Sequence, residues 1–387
     1  MKTKMMTIDR WSLAKLVFTL LLCFVVSFSF AEGSPDKEFN NNYKYTKKRI
    51  IDANFDAGEN YTLNLLGKYS DYEISTWNEN HISFHVEIIV KSNKEQRAEE
   101  QLYQIDIDFE NSQANKEIMA KTVIPSRMNN VEFQIDYYIM IPRNIFLVIH
   151  NAYGNVNVDK LNRYLDLDLD YGNFSIDSLF GDNKMNLAYS NAKIKYADKV
   201  DAKIRYGNIR VNTGNDVNVN IQYGNGKFGD IQSLKTFCQY SDISCSDIEA
   251  AYLKLQYSDT YLKNVKDLTM DNSYSDVEID HLLKRINFTS RYGDIEINKV
   301  HHDFELIDIK TEYSDVSVIF KESHKFSYNI AALHADVESV FLEDTAMRYI
   351  KKDDETTIIG DYNGSNDIRH VKIDIRYGDL EFELRNE

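Results

Sequence analysis

The 387-residue sequence is poor in the residues that interrupt or crosslink a chain. It contains three cysteines and three prolines, and no proline follows Pro142. Because proline cannot donate a backbone hydrogen bond, its absence permits long uninterrupted strand ladders. Only Cys238 and Cys245 lie beyond the N-terminal segment, so disulfides are excluded as the main source of stability.

The sequence also has no excess of positive charge. The formal net charge is −16, which argues against binding to nucleic acid or to an anionic membrane surface. One apolar run, Leu16 to Phe30, follows a weakly basic lead and is too short for a stable membrane-spanning helix. It ends at Ser29-Phe30-Ala31, so residues 1–31 are predicted to be a secretory signal peptide. Nothing after Ala31 resembles a membrane span, and we expect an exported protein in the periplasm, on the outer-membrane surface or outside the cell.

A short phrase, tyrosine followed by Gly or Ser and then Asn or Asp, recurs through most of the chain. Ten copies follow one another at spacings of 17 to 21 residues. A degenerate copy, His334-Ala335-Asp336, and a last copy at Tyr377 come later. A fixed period of this kind indicates stacked structural repeats. The predicted structural ladder comprises Tyr153, Tyr171, Tyr189, Tyr206, Tyr223, Tyr240, Tyr257, Tyr274, Tyr292, Tyr313 and Tyr377.

The residues between the tyrosines alternate between apolar and polar. In LDLDLD before Tyr171, Leu165, Leu167 and Leu169 share one face and aspartates occupy the other, as in a strand with one buried side. Each unit is predicted to be a strand, a tight turn, a second strand and a loop. So short a unit cannot cover its own apolar face and must stack on its neighbours. The sequence therefore predicts an all-β parallel β-helix, or solenoid, of about twelve rungs of 17 to 21 residues.

The repeated phrase is interpreted as the corner of each rung. Gly or Ser and Asn or Asp are predicted to adopt the left-handed or locally hydrogen-bonded turn geometry. The tyrosines share parity with the buried leucines, so they are predicted to point inward or lie across the corner and to stack in an offset ladder. A carbohydrate-stacking tyrosine surface is the alternative, and the inward parity favours the structural role.

The two ends of the chain depart from the repeat. A polar stretch ending at Leu102 has Ser92 and Glu95 in capping-box positions and predicts one short helix. Between Asp353 and Ile368 we expect an insertion or a terminal cap, because solenoid ends need covering. The predicted division is a signal peptide 1–31, a β-rich cap 32–150, regular solenoid repeats 151–320, and irregular rungs with a cap 321–387.

One change along the repeat could create a functional site. The residue two after the tyrosine is Asn in the first five copies and Asp in the later ones. Carboxylates at the strand spacing of roughly 4.8 Å repel by about 1 kcal/mol per pair in water. Solvent and hydrogen bonds to turn N–H groups relieve this repulsion in the favoured interpretation, and a cation such as Ca²⁺ is the alternative. The candidate cation column is Asp242, Asp259, Asp276, Asp294 and Asp315.

Other reactive residues give weak signals, and no cofactor is expected. Cys238 and Cys245 flank Tyr240 and are either a local disulfide or buried free thiols. His301-His302 lies in a loop without a second cluster of metal spacing. Enzymatic β-helices build a cleft from long loops, for which these rungs leave few residues, so no enzyme is predicted. The outward positions form a polar face in which no aromatic platform is expected, for example at Arg205, Gln222, Gln239, Gln256 and Ser273.

The pattern resembles a bacterial adhesin-like family of unknown function, β-helical proteins related to the auto-transporter adhesin head. The resemblance rests on NFDAGENYTLNLLGKYSDYEISTWNENHISFHV, on IMIPRNIFLVIHNAYGNVNV and on the YGD and YSD rungs. It implies a right-handed parallel β-helix exported by Bacteroidetes-like bacteria, and it brings no ligand residues with it.

Together these features predict a non-enzymatic exported β-solenoid. It would act as an adhesin-like or cell-envelope interaction protein with an unknown protein or glycan partner. A periplasmic structural or envelope-stress scaffold is the alternative, and a polysaccharide-active β-helix enzyme is less favoured.

Overall fold

The computed structural model describes residues 43–364 and 368–386. Residues Tyr43–Glu387 form one compact unit, and the signal peptide expected at 1–31 lies outside the described residues. In the described part of the chain, 26 strands join in one continuous sheet. No helix there is long and apolar enough to cross a membrane.

The middle of the chain is a β-solenoid, which confirms the predicted fold class. Each long strand is almost a whole rung and pairs in parallel with the next, so that Ile209 lies beside Gly226 and Ile221 beside Cys238. These strands are β11 (Asn173–Ala188), β12 (Asn191–Arg205), β13 (Asn208–Gln222), β14 (Asn225–Gln239), β15 (Asp242–Gln256), β16 (Thr260–Ser273) and β17 (Val277–Arg291).

Each of these rungs is one bent strand rather than the predicted strand, turn, strand and loop. In β13 the alternation of buried and exposed residues is interrupted at 212–213 and again at 215–216. The pairing with β14 skips positions 212 and 215. Two bends and the tyrosine corner therefore divide a rung into three flat segments, and the inward side chains of all three form the apolar core.

The N-terminal region contains a rung that the constant spacing does not predict, although its corner, Tyr69-Ser70-Asp71, is a copy of the repeated phrase. The strands of this region are β1 (Tyr45–Asp56), β2 (Thr62–Lys68), β3 (Ser70–Trp77), β4 (His81–Ser92), β5 (Asp106–Ser112), β6 (Glu117–Val123), β7 (Val131–Pro142), β8 (Phe146–Ala152), β9 (Val156–Leu161) and β10 (Tyr164–Asp170). Strands β2 and β3 meet at this corner and pair in parallel with β8 and β9. On their other side they pair in parallel with β6 and β7, so this rung lies inside the stack.

The expected short helix is present as α1 (Glu95–Leu102) and buries Ala98 and Leu102. The predicted capping box is wrong. Lys94 occupies the N-cap position, and Ser92 ends β4, where its hydroxyl donates to the carbonyl oxygen of Asn130.

The C-terminal rungs are stacked out of sequence order. The elements here are β18 (Ile295–Ile297), β19 (Leu306–Glu312), β20 (Val316–Lys321), β21 (Phe326–Leu333), β22 (Val337–Ser339), α2 (Leu342–Thr345), β23 (Ala346–Lys352), β24 (Glu355–Tyr362), β25 (His370–Arg376) and β26 (Leu380–Arg385). The last rung, β25 and β26, lies between the rung of β19 and β20 and the rung of β21 and β22. The region of the expected insertion contains β24, which pairs antiparallel with both β21 and β23.

Candidate functional site

The tyrosines form a continuous stack along one edge of the solenoid. Tyr69 precedes the eleven predicted residues, Tyr377 follows Tyr313 directly, and His334 lies beyond Tyr377. Neighbouring tyrosine rings are 4.8 to 5.2 Å apart between centroids, with planes within 17° of each other. The edge is therefore a regular column of stacked rings.

Of the two orientations predicted for these rings, the inward one is wrong, and the rings instead lie at the corner of each rung and stack in the predicted ladder. Each ladder tyrosine is 37 to 51% exposed. Each also has a positive φ, between +52° and +62°, which interrupts the strand alternation and turns the side chain outward. Left-handed geometry costs a bulky residue roughly 1–2 kcal/mol, and stacking on two neighbours at about 0.5–1.5 kcal/mol each offsets that cost.

The left-handed conformation predicted for the turn residues is wrong, because it belongs to the tyrosine, but the predicted local hydrogen bonding is present at the serines, as where the Ser241 hydroxyl donates to the carbonyl oxygen of Gln239 at 2.8 Å. Tyrosine takes the left-handed conformation, and glycine follows it because the preceding rung passes very close. A Cβ added at Gly224 would lie 1.8 Å from the carbonyl oxygen of Gly207. Where serine stands instead, its hydroxyl accepts a backbone N–H of the adjacent rung, as Ser241 accepts that of Gly224 at 3.3 Å.

The Asn and Asp side chains form a second column beside the tyrosines. In most of them the Oδ1 atom accepts a backbone N–H of the next rung: Asn208 Oδ1 accepts that of Asn225 at 3.0 Å, and Asp294 Oδ1 accepts that of Asp315 at 2.8 Å. At Asn173 the Oδ1 atom accepts the side-chain amide of Asn191 instead. Asn and Asp thus perform the same capping function.

Burial and neighbouring carboxylates perturb part of the acidic column. Burial raises the pKa of Asp294 to about 6 and raises the pKa of Asp242 and of Asp276. Within the described residues, the column contains no three acidic side chains whose ligand atoms lie within 4.8 Å of one another. The geometry therefore favours capping of N–H groups over the Ca²⁺ alternative, and a melting temperature that does not respond to Ca²⁺ or a chelator stays our prediction.

Replacing Asp294 with Asn is expected to raise the free energy of unfolding by about 1 kcal/mol at pH 7.5, because Asn keeps the acceptor without the charge. Solvent screens this partly exposed carboxylate, so the gain is smaller than the full pKa shift would give. The pKa of Asp294 in the folded state lies above its unfolded value near 3.9, so its ionisation destabilises the fold at neutral pH. Stability is regained as the pH falls through about 6, so the advantage of D294N should shrink by pH 5. Denaturant titrations at several pH values measure this.

Asp294→Ala is the control for this prediction. It removes both the charge and the acceptor for the Asp315 N–H, and it should destabilise the protein by about 1–2 kcal/mol at pH 5. Other groups also change the stability as the pH changes, among them His324, whose pKa is lowered by burial to about 4. Their effects cancel when each variant is compared with the wild type at the same pH. Equal stability of D294N and wild type at every pH would contradict the account.

An open cleft of about 490 Å³ lies on a different face, across β14 to β17. Tyr252, which is 40% exposed, forms part of its wall. The Lys235 ammonium lies 5.3 Å from the Phe237 ring centroid and 5.8 Å from that of Tyr252. Opposite charges also meet here, since Arg285 Nε lies 2.8 Å from Asp267 Oδ1. A second depression of about 190 Å³ adjoins the cleft and shares Tyr252 with it.

Differences in side-chain size create this cleft. Tyr252 is in register with Thr269, and Thr269 with Asn287, so a large ring stands beside two short side chains. In the neighbouring column Ser233 and Ala250 are also short. The gap between the large and small side chains is the cleft.

The expectation of an outward face without an aromatic platform is wrong at this place. The polar positions that supported it form one column, in which Gln222, Gln239 and Gln256 lie in register just before the tyrosine corner. Tyr252 lies in another outward column. An aromatic residue at outward parity, between Ala251 and Leu253, was the sequence signal for it.

The remaining candidates are not assembled into a reactive site. Cys238 and Cys245 are buried free thiols, and burial raises the pKa of both. His301, His302 and Asp303 place ligand atoms within 4.8 Å of one another but are exposed. The Asp303 carboxylate already contacts His302 Nε2 at 3.0 Å and Arg369 at 3.4 Å.

The comparison with protein families agrees with a β-solenoid of unknown function. No curated protein shows significant similarity to the chain. A solved structure described as a "putative cell adhesion protein" from Clostridium sporogenes ATCC 15579 is 11% identical, with 88% of this chain and 100% of that chain covered and a TM-score of 0.18. The model of the family described as Toastrack DUF4097 matches residues 68–382. The chain therefore belongs to the Toastrack DUF4097 family.

Proposed function

We propose that this protein is a non-enzymatic, exported β-solenoid that binds a ligand at the cell envelope, in the manner of an adhesin. The observation that carries the proposal is the open cleft with Tyr252 in its wall, on an otherwise regular solenoid face. Solenoids present extended surfaces of this kind to their partners. The signal peptide expected at residues 1–31 supports export.

The lining of the cleft supports binding rather than catalysis. Enzymes that cleave glycosidic bonds use two carboxyl groups that flank the scissile bond. Among the described residues that line the 490 Å³ cleft, Asp267 is the one carboxylate, and Arg285 binds it. The acids of the adjoining depression are each paired with a lysine, Asp271 with Lys254 and Asp308 with Lys372.

Surface exposure separates the adhesin role from that of a periplasmic scaffold. Intact cells treated with a protease should lose the protein if it acts at the surface. A periplasmic marker that stays intact is the control for envelope integrity. Protection of the protein until the outer membrane is broken would overturn the adhesin proposal and support the scaffold.

A further inference from the structure

We propose that the cleft at Tyr252 binds a neutral oligosaccharide. This inference rests on the proposed binding function and names the ligand class of the same site. The cleft volume of about 490 Å³ is in the range of small-ligand sites, which combine an apolar or aromatic surface with a few polar groups. A hexose has the same mixture of an apolar C–H face and a rim of hydroxyl groups.

Tyr252 provides the aromatic surface for a sugar ring. Lys235, its register partner on the preceding rung, places an ammonium group near the ring. On the following rung the partner is the short Thr269, which leaves room beside the ring on that side. The phenol can therefore contact a sugar ring that enters the cleft, while its hydroxyl remains able to donate or accept a hydrogen bond.

Polar side chains around Tyr252 provide both donors and acceptors. Asn287 and Thr269 line the cleft and the adjoining depression, and each can donate and accept. Arg285 uses Nε for Asp267 and Glu305, and its guanidinium has further N–H donors. Sugar hydroxyls need donors and acceptors interspersed in this way.

The local charge balance favours a ligand without net charge. The two depressions are lined by three basic and three acidic side chains, although the whole chain carries −16. A polyanion would meet the acids and the overall negative field, and a polycation would meet the bases. The six residues are Lys235, Arg285, Lys310, Asp267, Asp271 and Asp308.

The backbone around the cleft argues against an extended peptide as the ligand. Peptides that add to a sheet need an unpaired strand edge. Strands β14 to β17 are each paired on both sides, so recognition here must use side chains. From Lys235 to Asp308 the lining spans four register steps, roughly 19 Å at the strand spacing, which suits a short linear chain of sugars lying along the solenoid.

The test measures binding of the full chain to two sets of oligosaccharides. The neutral set contains β-glucan, α-glucan, mannan, xylan and chitin fragments, and the charged set contains uronic-acid and sulfated fragments. At least one neutral member should bind. Tyr252→Ala should weaken that binding at least tenfold, and Thr269→Trp, which fills the cleft, should abolish it. Tyr138→Ala removes a tyrosine of similar exposure from β7 and should leave affinity unchanged.

Thermal melts of each variant show that the fold is kept. Binding of charged fragments alone, binding unaffected by both Y252A and T269W, or no binding by any neutral member at millimolar concentration would each overturn the inference. The protease experiment on intact cells is independent of these results. A protein exposed at the surface without glycan binding would defeat this inference and leave the proposed envelope function standing.

Discussion

Deleting residues 190–206 should give a folded protein with one rung fewer. The deletion removes 17 residues and joins Tyr189 to Gly207-Asn208, which recreates the repeated phrase. The inward residues of β11 would then pack on those of β13, for example Phe174 on Ile209. Because each rung contacts only its neighbours, the loss is limited to one rung and one interface. Circular dichroism should show unchanged strand content per residue, with a melting temperature lower by a few degrees.

Removing residues 190–198 instead should prevent folding. This half-rung deletion displaces Tyr206 from its place above Tyr189 and moves Asp201 and Lys203 to the inward positions of Ala192 and Ile194. Deleting a whole rung leaves every inward position filled as before. The expected product is insoluble or rapidly degraded by protease. If the shorter deletion were tolerated as well as the whole rung, the stacked-rung register would be incorrect.

Replacing Tyr223 with alanine should lower the free energy of unfolding by about 2–4 kcal/mol, since the ring stacks on both neighbours and buries half its surface. Its centroid lies 5.0 Å from that of Tyr206 and 5.2 Å from that of Tyr240, with planes 6° apart in both pairs. Alanine would keep the left-handed backbone at φ +57° without the stacking that offsets its cost. Urea or guanidinium titrations measure the change.

Tyr223→Phe is the matched variant, because it keeps the ring and removes only the hydroxyl. Its stability should lie within about 0.5 kcal/mol of the wild type. If the phenylalanine variant were as unstable as the alanine variant, the hydroxyl rather than the ring would be responsible for the stability. If the alanine variant were as stable as the wild type, the tyrosine ladder would not contribute to stability.

The period of the sequence was sufficient to predict the solenoid, but residue parity was insufficient to orient the tyrosines. Counting from Leu165, Leu167 and Leu169 places Tyr171 on the inward face. The left-handed backbone at Tyr171 breaks that count, and nothing in the phrase favours tyrosine over glycine for this conformation. The stacking that makes tyrosine suitable depends on the same residue in the next rung.

The order in which the rungs stack at both ends could not be predicted from the spacing of the repeat either. Asp71 caps the N–H of Asn155, although the two are 84 residues apart, because β4 to β7 intervene in the chain but not between these rungs. A search for constant spacing cannot detect such a neighbour. The Tyr252 cleft depends in turn on side-chain sizes in four adjacent rungs, which become a surface feature only once the register is known.

The most direct test of the proposed binding role incubates the full chain with the neutral oligosaccharide that binds best and measures binding and new reducing ends in the same samples. Saturable binding that Tyr252→Ala weakens, with the glycan chain length unchanged over a day, is the predicted result. Release of new reducing ends that disappears in the same variant would show an enzyme and contradict the account.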